Sequence, residues 1–391
     1  MDFDVIVIGS GFGGAITACR LAERGYRVLI LERGREWDKN TYPREADDPW
    51  IWHNDKPEKL NGWVDFRIFP NMTVVQGAGV GGGSLIYANI SVEAPKKVFD
   101  RGWPQEITYD ELKPHYDTVK GFMNVQQMPN NQWNPRTHLM KEGADKTGAA
   151  ARFKMLEMAV SFDPAFSFNP DNPPDETQSK EFINAQGVKQ GTCAHLGLCD
   201  IGCPVGAKNT LDLNYIPWAK KHGAEVRALH LVTKIEQVEG GYRVSFDRLA
   251  NGTRTAGSHT ARVVILAAGS LGSTELLLRC RDAYGTLPNI SRFLGRNWSS
   301  NGDFLTPAFY EDRKIWPARG PTISSTIDFL DGSQNGQTYW IEDGGFPHLL
   351  GSFFTGGLAR ALKELPVETL IRAIQETVRN VEPGRNIMPW F

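Results

Sequence analysis

The chain has 391 residues, 41% hydrophobic and 23% charged, with a formal net charge of −2. That length admits two domains, and that balance gives a globular protein with no electrostatic case for nucleic acid. No apolar run reaches the roughly 18 residues of a membrane span, and the first strand-like run starts at residue 3, with no room for a signal peptide. The five cysteines then read as free thiols or ligands, and a cytoplasmic protein is expected.

The first element is the apolar run Phe3–Ile8, read as a strand. It runs into Gly9-Ser10-Gly11-Phe12-Gly13-Gly14 and a helix-forming stretch over 15–24. A second β run over 27–31 ends at Glu32, eighteen residues after Gly14. Strand, G-x-G-x-x-G, helix, strand and acid make a dinucleotide-binding start. Gly9 permits the turn, Gly11 admits a pyrophosphate and Gly14 lets helix and strand pack closely. The helix N-terminus favours the diphosphate. Glu32 would accept ribose hydroxyls and repel a 2′-phosphate, and the adjacent Phe12 and Arg33 are counted with this site.

Residues 36–70 show no clear period and read as a long irregular excursion. A strand at 72–75 leads into a second glycine cluster, Gly77, Gly79, Gly81, Gly82 and Gly83, followed by Ser84. Such backbone tolerates positive φ and close approach by a ligand. A flavin or pyrophosphate contact is expected there, with a flexible hinge as the alternative. Further on, the pattern predicts a helix at 109–119 and loops at 129–135 and 163–177. A helix follows at 210–222, broken at Pro217, then a strand at 225–232. A hairpin over 234–246 turns at Gly240-Gly241. The run 262–266 reads as a buried strand ending in Ala267-Ala268-Gly269, where small residues let a cofactor cross the strand tip or simply pack as core. A helix over 270–279 follows. Short β runs fill 310–345. Two amphipathic stretches lie within 357–380, with Leu358, Leu362, Leu365, Leu370, Ile371 and Ile374 at helical spacing, read as core helices or a lid.

With these segments in place, the chain resembles the glucose–methanol–choline (GMC) flavin oxidoreductases, in their cholesterol-oxidase-like branch. Gly79-Val80-Gly81-Gly82-Gly83-Ser84-Leu85 is similar to that branch's second flavin loop. So are Gly206-Ala207-Lys208-Asn209-Thr210-Leu211, Ala268-Gly269-Ser270-Leu271-Gly272-Ser273, Leu294-Gly295-Arg296, and Asn301-Gly302. The resemblance implies an α/β fold: an FAD-binding Rossmann-like (three-layer ββα) domain with an inserted, mixed β-sheet substrate domain. The expected division is 1–100 and 190–309 for the FAD domain, 101–189 for a lid or insertion, and 310–391 for a truncated substrate domain. It also implies FAD and oxidation of an alcohol CH–OH group. Gly9, Gly11 and Gly14 would hold the diphosphate, Glu32 the adenosine ribose, Gly82 and Gly83 the flavin side, and the Val232 backbone the adenine edge. Where sterol oxidases continue the serine–leucine pair with an apolar residue, Asn and Gly, this chain has Ile86, Tyr87 and Ala88.

Alcohol oxidation needs a group to take the hydroxyl proton. The segment 340–347 falls where sterol oxidases carry an active-site glutamate, so Glu342 is the expected catalytic acceptor, with a turn-capping acid beside Asp343 as the alternative. The family's catalytic His-Pro-Leu-Gly-Gly-like segment has no counterpart. His348 follows Pro347 without the glycines, and the chain closes on Met388-Pro389-Trp390-Phe391. A C-terminally incomplete protein is therefore expected.

Cys193, Cys199 and Cys203 stand as C-x5-C-x3-C, with His195 between. Some sugar dehydrogenases of the family hold a 3Fe–4S cluster at that spacing, so the resemblance raises an iron–sulfur relay to a protein acceptor. Zinc through Cys193, His195, Cys199 and Cys203, or three reduced thiols, are the alternatives. Cys19 and Cys280 fall in predicted helices and read as core. The partners expected are a small-molecule alcohol and oxygen, a quinone or a protein as electron acceptor. A disulfide reductase or monooxygenase on a similar cofactor fold is a second class, its reductase form disfavoured by the lack of a Cys pair after the second strand, and a non-catalytic flavin-binding or electron-carrier fragment is a third.

Overall fold

The structure, a computed structural model, describes residues 1–391 apart from Ala46, Asn71, Arg101, Glu311, Asp312, Phe346, residues 348–386 and Phe391. His348 and the stretch 357–380 lie outside the described residues. The chain divides into two compact units. One takes Met1–Ile86 and Leu211–Gly302; the other takes Tyr87–Thr210 and the described residues after Gly302.

The first unit is built on β1 (Phe3–Ile8), α1 (Phe12–Ala22), β2 (Val28–Leu31), α2 (Tyr215–Lys221), β3 (Glu225–Arg227), β4 (His230–Val238), β5 (Gly241–Ala250), β6 (Thr253–Leu266) and α3 (Gly269–Leu278). Their strand order is β3-β2-β1-β6-β5-β4. β3, β2, β1 and the end of β6 run parallel, and β4, β5 and β6 form an antiparallel meander. β6 changes partner at Ala261: residues before it pair with β5, residues after it with β1. The short Val/Ile/Leu runs of β1 and β2 are buried along nearly their whole length, as parallel strands covered on both faces require. Phe3, Ile6, Ile8, Leu29 and Leu31 share one core with Val232, Ile235, Val244, Phe246, Leu276 and Cys280. Meander, parallel strands and helices thus make the Rossmann-like ββα arrangement that the resemblance implies.

Three local expectations change. The excursion over 36–70 contains strands Ile51–Trp52 and Val64–Phe69, the latter antiparallel to Met72–Gly77. Its inward residue is Asp65, buried beneath Arg33 and Arg67, so the pattern gives no apolar alternation to read. The single strand expected at 225–232 breaks at Leu229, whose φ of 57° is left-handed. The chain leaves the parallel edge there and enters the meander. Pro217 does not break its helix: it lies in the first turn, where no intrahelical N–H is lost, and Asn214 caps the N–H of Tyr215 at 2.6 Å.

In the second unit, helix Pro135–Lys146 starts on Asn134, whose side chain accepts from the N–H groups of Arg136 and Thr137. It packs Leu139, Met140 and Ala144 with Ile315, Ile327 and Phe329. Strands Phe153–Met155, Ser325–Asp328 and Trp340–Glu342 form an antiparallel sheet.

Candidate functional site

The glycine segments of the first unit, far apart in sequence, meet at the carboxyl ends of β1 and β6. A Cβ on Gly9, whose φ is +94°, would stand 2.5 Å from the Ala267 carbonyl oxygen and 2.9 Å from Cα of Ala268. One on Gly14 would overlap the Gly9 carbonyl and reach the Ala267 methyl at 3.2 Å. One on Gly82, at φ +53°, would lie 2.7 Å from Cα of Gly11. One on Gly77 would lie 2.5 Å from the Gly82 carbonyl oxygen. Gly9, Gly11, Gly14, Gly77, Gly82 and Ala268 therefore form one wall of touching backbone. Gly83, by contrast, faces open space, and nothing lies within 4 Å of the Cβ it lacks.

The wall suits a dinucleotide. α1 begins on Gly11 with no side-chain cap hydrogen bond and no acid in its first turn, and the dipole at that end favours an anion such as a diphosphate. Glu32 is buried, and its carboxylate accepts from Ser10 N–H at 3.0 Å, Ser10 Oγ–H at 2.7 Å and Gly34 N–H at 2.9 Å. A carboxylate has about four acceptor sites, so Glu32 retains room for a ribose hydroxyl.

The other expected cofactor residues have distinct positions. Phe12 opens α1 with an exposed ring. Gly79 is pressed against Trp37: a Cβ there would meet Trp37 Nε1 at 2.6 Å, and that indole donates to the Ala78 carbonyl at 2.9 Å. Ser84 is buried within the second loop. Gly269, at φ +75°, starts α3 beside the Gln76 side chain. The Val232 side chain is part of the core, just before a register shift in β4. The Arg33 guanidinium is engaged by Asp65 at 2.8 Å and lies over the Trp52 ring at 4.9 Å. Sequence reasoning missed Ser10, Trp37 and Asp65. The signal for Ser10 was present, as a hydroxyl residue between the first two glycines of the motif.

Glu342 belongs to the second unit, at the end of strand Trp340–Glu342 and half-buried. Burial, with the charges of Asp303 and Asp343 added, pushes its carboxyl from 4.5 up to about 7. Asp343 beside it is fully buried and paired with the fully buried Arg136 at 2.9 Å. Asp343 also accepts from Ser324 N–H at 2.9 Å and Ser325 N–H at 2.6 Å. Arg136 donates further to the carbonyls of Thr322, Pro321 and Arg319. This network fixes the backbone that presents Glu342. Asp343 is bound into it, and Glu342, pushed up to about 7, is poised near neutrality.

The metal expectation is corrected. Among the described residues no group of three or more His, Cys, Asp or Glu side chains is arranged to hold a metal ion. Cys193, Cys199 and Cys203 are free thiols. Burial pushes the Cys193 thiol well up and the Cys199 thiol up. Cys203 Sγ accepts from Ala207 N–H at 3.3 Å. His195, the fourth candidate for zinc, is buried against Phe166 and Phe168, with Nε2 3.1 Å from Gln132 Oε1. Burial, helped by the Arg136 charge, lowers it to about 3.

A family model described as GMC oxidoreductase matches residues 3–156 and 183–297. A cholesterol oxidase of Acinetobacter baumannii is 32% identical over 337 residues, covering 83% of this chain and 59% of its own length. A cholesterol oxidase of Mycobacterium tuberculosis is 34% identical over 315 residues, covering 78% and 53%. A 2-methyl-1,2-propanediol dehydrogenase of Mycolicibacterium austroafricanum is 26% identical over 306 residues, covering 70% and 50%. The chain thus spans between half and three-fifths of the length of these relatives. Among the described residues no helix is long and apolar enough to cross a membrane.

Proposed function

This chain belongs to the GMC oxidoreductase family, and from that premise we propose that it serves the FAD-dependent oxidation of an alcohol CH–OH group. The observation that carries the reading is the wall of touching glycines at the strand ends, with an uncapped helix N-terminus and a buried acid beside it. Gly9, Gly11, Gly14 and the start of α1 would hold the FAD diphosphate. Glu32 would hold the adenosine ribose, and the Val232 backbone the adenine edge. Gly77, Gly79, Gly82, Gly83, Ser84, Ala268 and Gly269 would border the remainder, with Phe12 and Arg33 at the margin. Bound FAD supplies the acceptor for the hydride leaving the carbinol carbon.

The chain's own contribution is the proton. Glu342, pushed up to about 7, is partly ionised at neutral pH and can accept the hydroxyl proton as the C–H bond breaks. The buried Arg136–Asp343 pair keeps its strand in place. Two relatives carry the name cholesterol oxidase and one the name of a diol dehydrogenase, which supports a sterol-like or other hydroxyl substrate. Oxygen (reduced to peroxide), a quinone or a protein is the electron acceptor in this reading. The cysteines are all free thiols, which suits a cytoplasmic setting.

The test is anaerobic. The purified protein is incubated with FAD, freed of excess, and mixed with a 3β-hydroxysterol or with a short diol. The reading expects retained yellow cofactor that bleaches with one of the two. Protein that retains no flavin overturns the cofactor reading; retained flavin that no alcohol bleaches overturns the reaction.

A further inference from the structure

Ser10 does more than occupy a variable position of the glycine motif. It is fully buried. Its single hydroxyl proton goes to Glu32 Oε2 at 2.7 Å, the short, charge-assisted partner, while the Gly79 carbonyl lies at 3.4 Å. Its oxygen in turn accepts from Gly81 N–H at 3.0 Å. The other side of the second loop is held in the same manner. The Gly81 carbonyl accepts from Ser84 Oγ–H at 2.8 Å, and Ser84 Oγ accepts from Leu211 N–H at 3.0 Å. Gly81 has a φ of +107°, a conformation that side-chain-bearing residues rarely adopt, and a hydroxyl grips each of its polar groups. One hydrogen-bonded line therefore runs from the Glu32 carboxylate through Ser10, the Gly81 residue and Ser84 to the Leu211 amide, all inside the first unit. Successive bonds of this kind polarise one another.

We propose that Ser10 is the positioning residue of the cofactor site: it locks the ribose-binding carboxylate and the second glycine loop into one rigid piece, with Ser84 as its counterpart. The proposal rests on the reading of this wall as an FAD site. The hydroxyl of Ser10 is fully used by the protein, so it acts through Glu32 and Gly81 rather than on the dinucleotide. Gly82, which touches Gly11, and Gly83, which faces open space, follow directly after the gripped residue. Their placement is what Ser10 and Ser84 hold.

The relay has a thermodynamic signature that general destabilisation lacks. Both serines act through the orientation of Gly81, so releasing either one frees the loop, and releasing the second has little left to undo. Ser10→Ala and Ser84→Ala are each expected to weaken FAD binding about tenfold, the order set by one hydrogen bond in a charge-linked line. The double variant is expected to bind within about twofold of the weaker single variant. With FAD saturating, the KM of Ser10→Ala for the alcohol stays at the parent value. Dissociation constants come from flavin fluorescence quenching.

A second measurement needs no variant. In the unliganded parent, hydrogen exchange of the peptide containing Gly81 is expected to be slow, because its amide is bonded to a buried hydroxyl. Parent-like FAD binding by Ser10→Ala, multiplication of the two single effects, or fast exchange at Gly81 would each overturn the proposal. Failure of the parent to bind FAD would instead strike the cofactor reading, and the exchange result would still decide whether the relay exists.

Discussion

Replacing Glu342 by glutamine tests burial and chemistry with one substitution. In the folded chain the carboxyl titrates at about 7, against an ordinary 4.5. The folded state therefore holds the proton more tightly than the unfolded chain does. The resulting stabilisation is complete below pH 4.5 and is lost as pH rises through about 7. At about 1.4 kcal/mol per pH unit, that interval corresponds to a ceiling of about 3 kcal/mol. Glu342 is only half-buried, so solvent screening brings the expectation to about 1–2 kcal/mol. Glutamine keeps the shape and cannot ionise. Urea midpoints of parent and Glu342→Gln, taken at pH 4 and pH 8, isolate the effect. The variant should gain about 1–2 kcal/mol on the parent between the two pH values, with the gain appearing at the alkaline end. The same variant should reduce bound flavin with alcohol about 10²–10⁴-fold more slowly if Glu342 takes the proton. A stability difference that does not change with pH, or that favours the parent at pH 8, would refute the assigned environment. Unchanged flavin reduction would refute the assigned role.

Three further outcomes are expected. Asp343→Ala leaves the Arg136 guanidinium buried without its hydrogen-bonded counter-charge, with only the longer-range charge of Asp200 remaining, and should lower the free energy of urea unfolding by about 3–5 kcal/mol; a loss below about 1 kcal/mol would contradict the burial of the pair. Gly82→Ala puts a methyl 2.7 Å from Cα of Gly11 at a φ of +53°, and should weaken FAD binding at least about tenfold by fluorescence quenching while leaving the second unit's folding unchanged. Among the cysteines, Cys203 is partly exposed whereas Cys19, Cys193, Cys199 and Cys280 are buried. Iodoacetamide at pH 8 should label Cys203 first and reach Cys193 and Cys199 only on denaturation, as mass spectrometry of peptides would show.

Much of the first unit was legible because its signals are local. Gly9, Gly11 and Gly14 mark a turn and a close approach within a few residues of one another, and the apolar runs on either side announce their strands by composition alone. The helix after Gly269 and the hairpin at Gly240-Gly241 were readable for the same reason. The strand Val64–Phe69 was not: Asp65, its inward residue, is polar, and one of the two arginines that make its burial tolerable, Arg33, comes from a distant part of the chain. The break at Leu229 also left no mark, since left-handed backbone at a leucine has no compositional signature.

By itself the sequence determined which segments could bring backbone into contact with backbone, since glycine carries no side chain to prevent it. Tertiary structure alone decided that Gly82 meets Gly11 across 71 positions, that Ser10 spans the gap between Glu32 and Gly81, and that Asp343 is consumed by Arg136 while its neighbour Glu342 is driven toward neutrality. It also decided that the cysteine spacing yields free thiols, two of them buried, with no metal-holding arrangement among the described residues. Each of these depends on desolvation and on partners supplied from distant parts of the chain. Residue type and spacing record which groups are available; only folding sets which of them lose water together, and so which charges and hydrogen bonds become fixed.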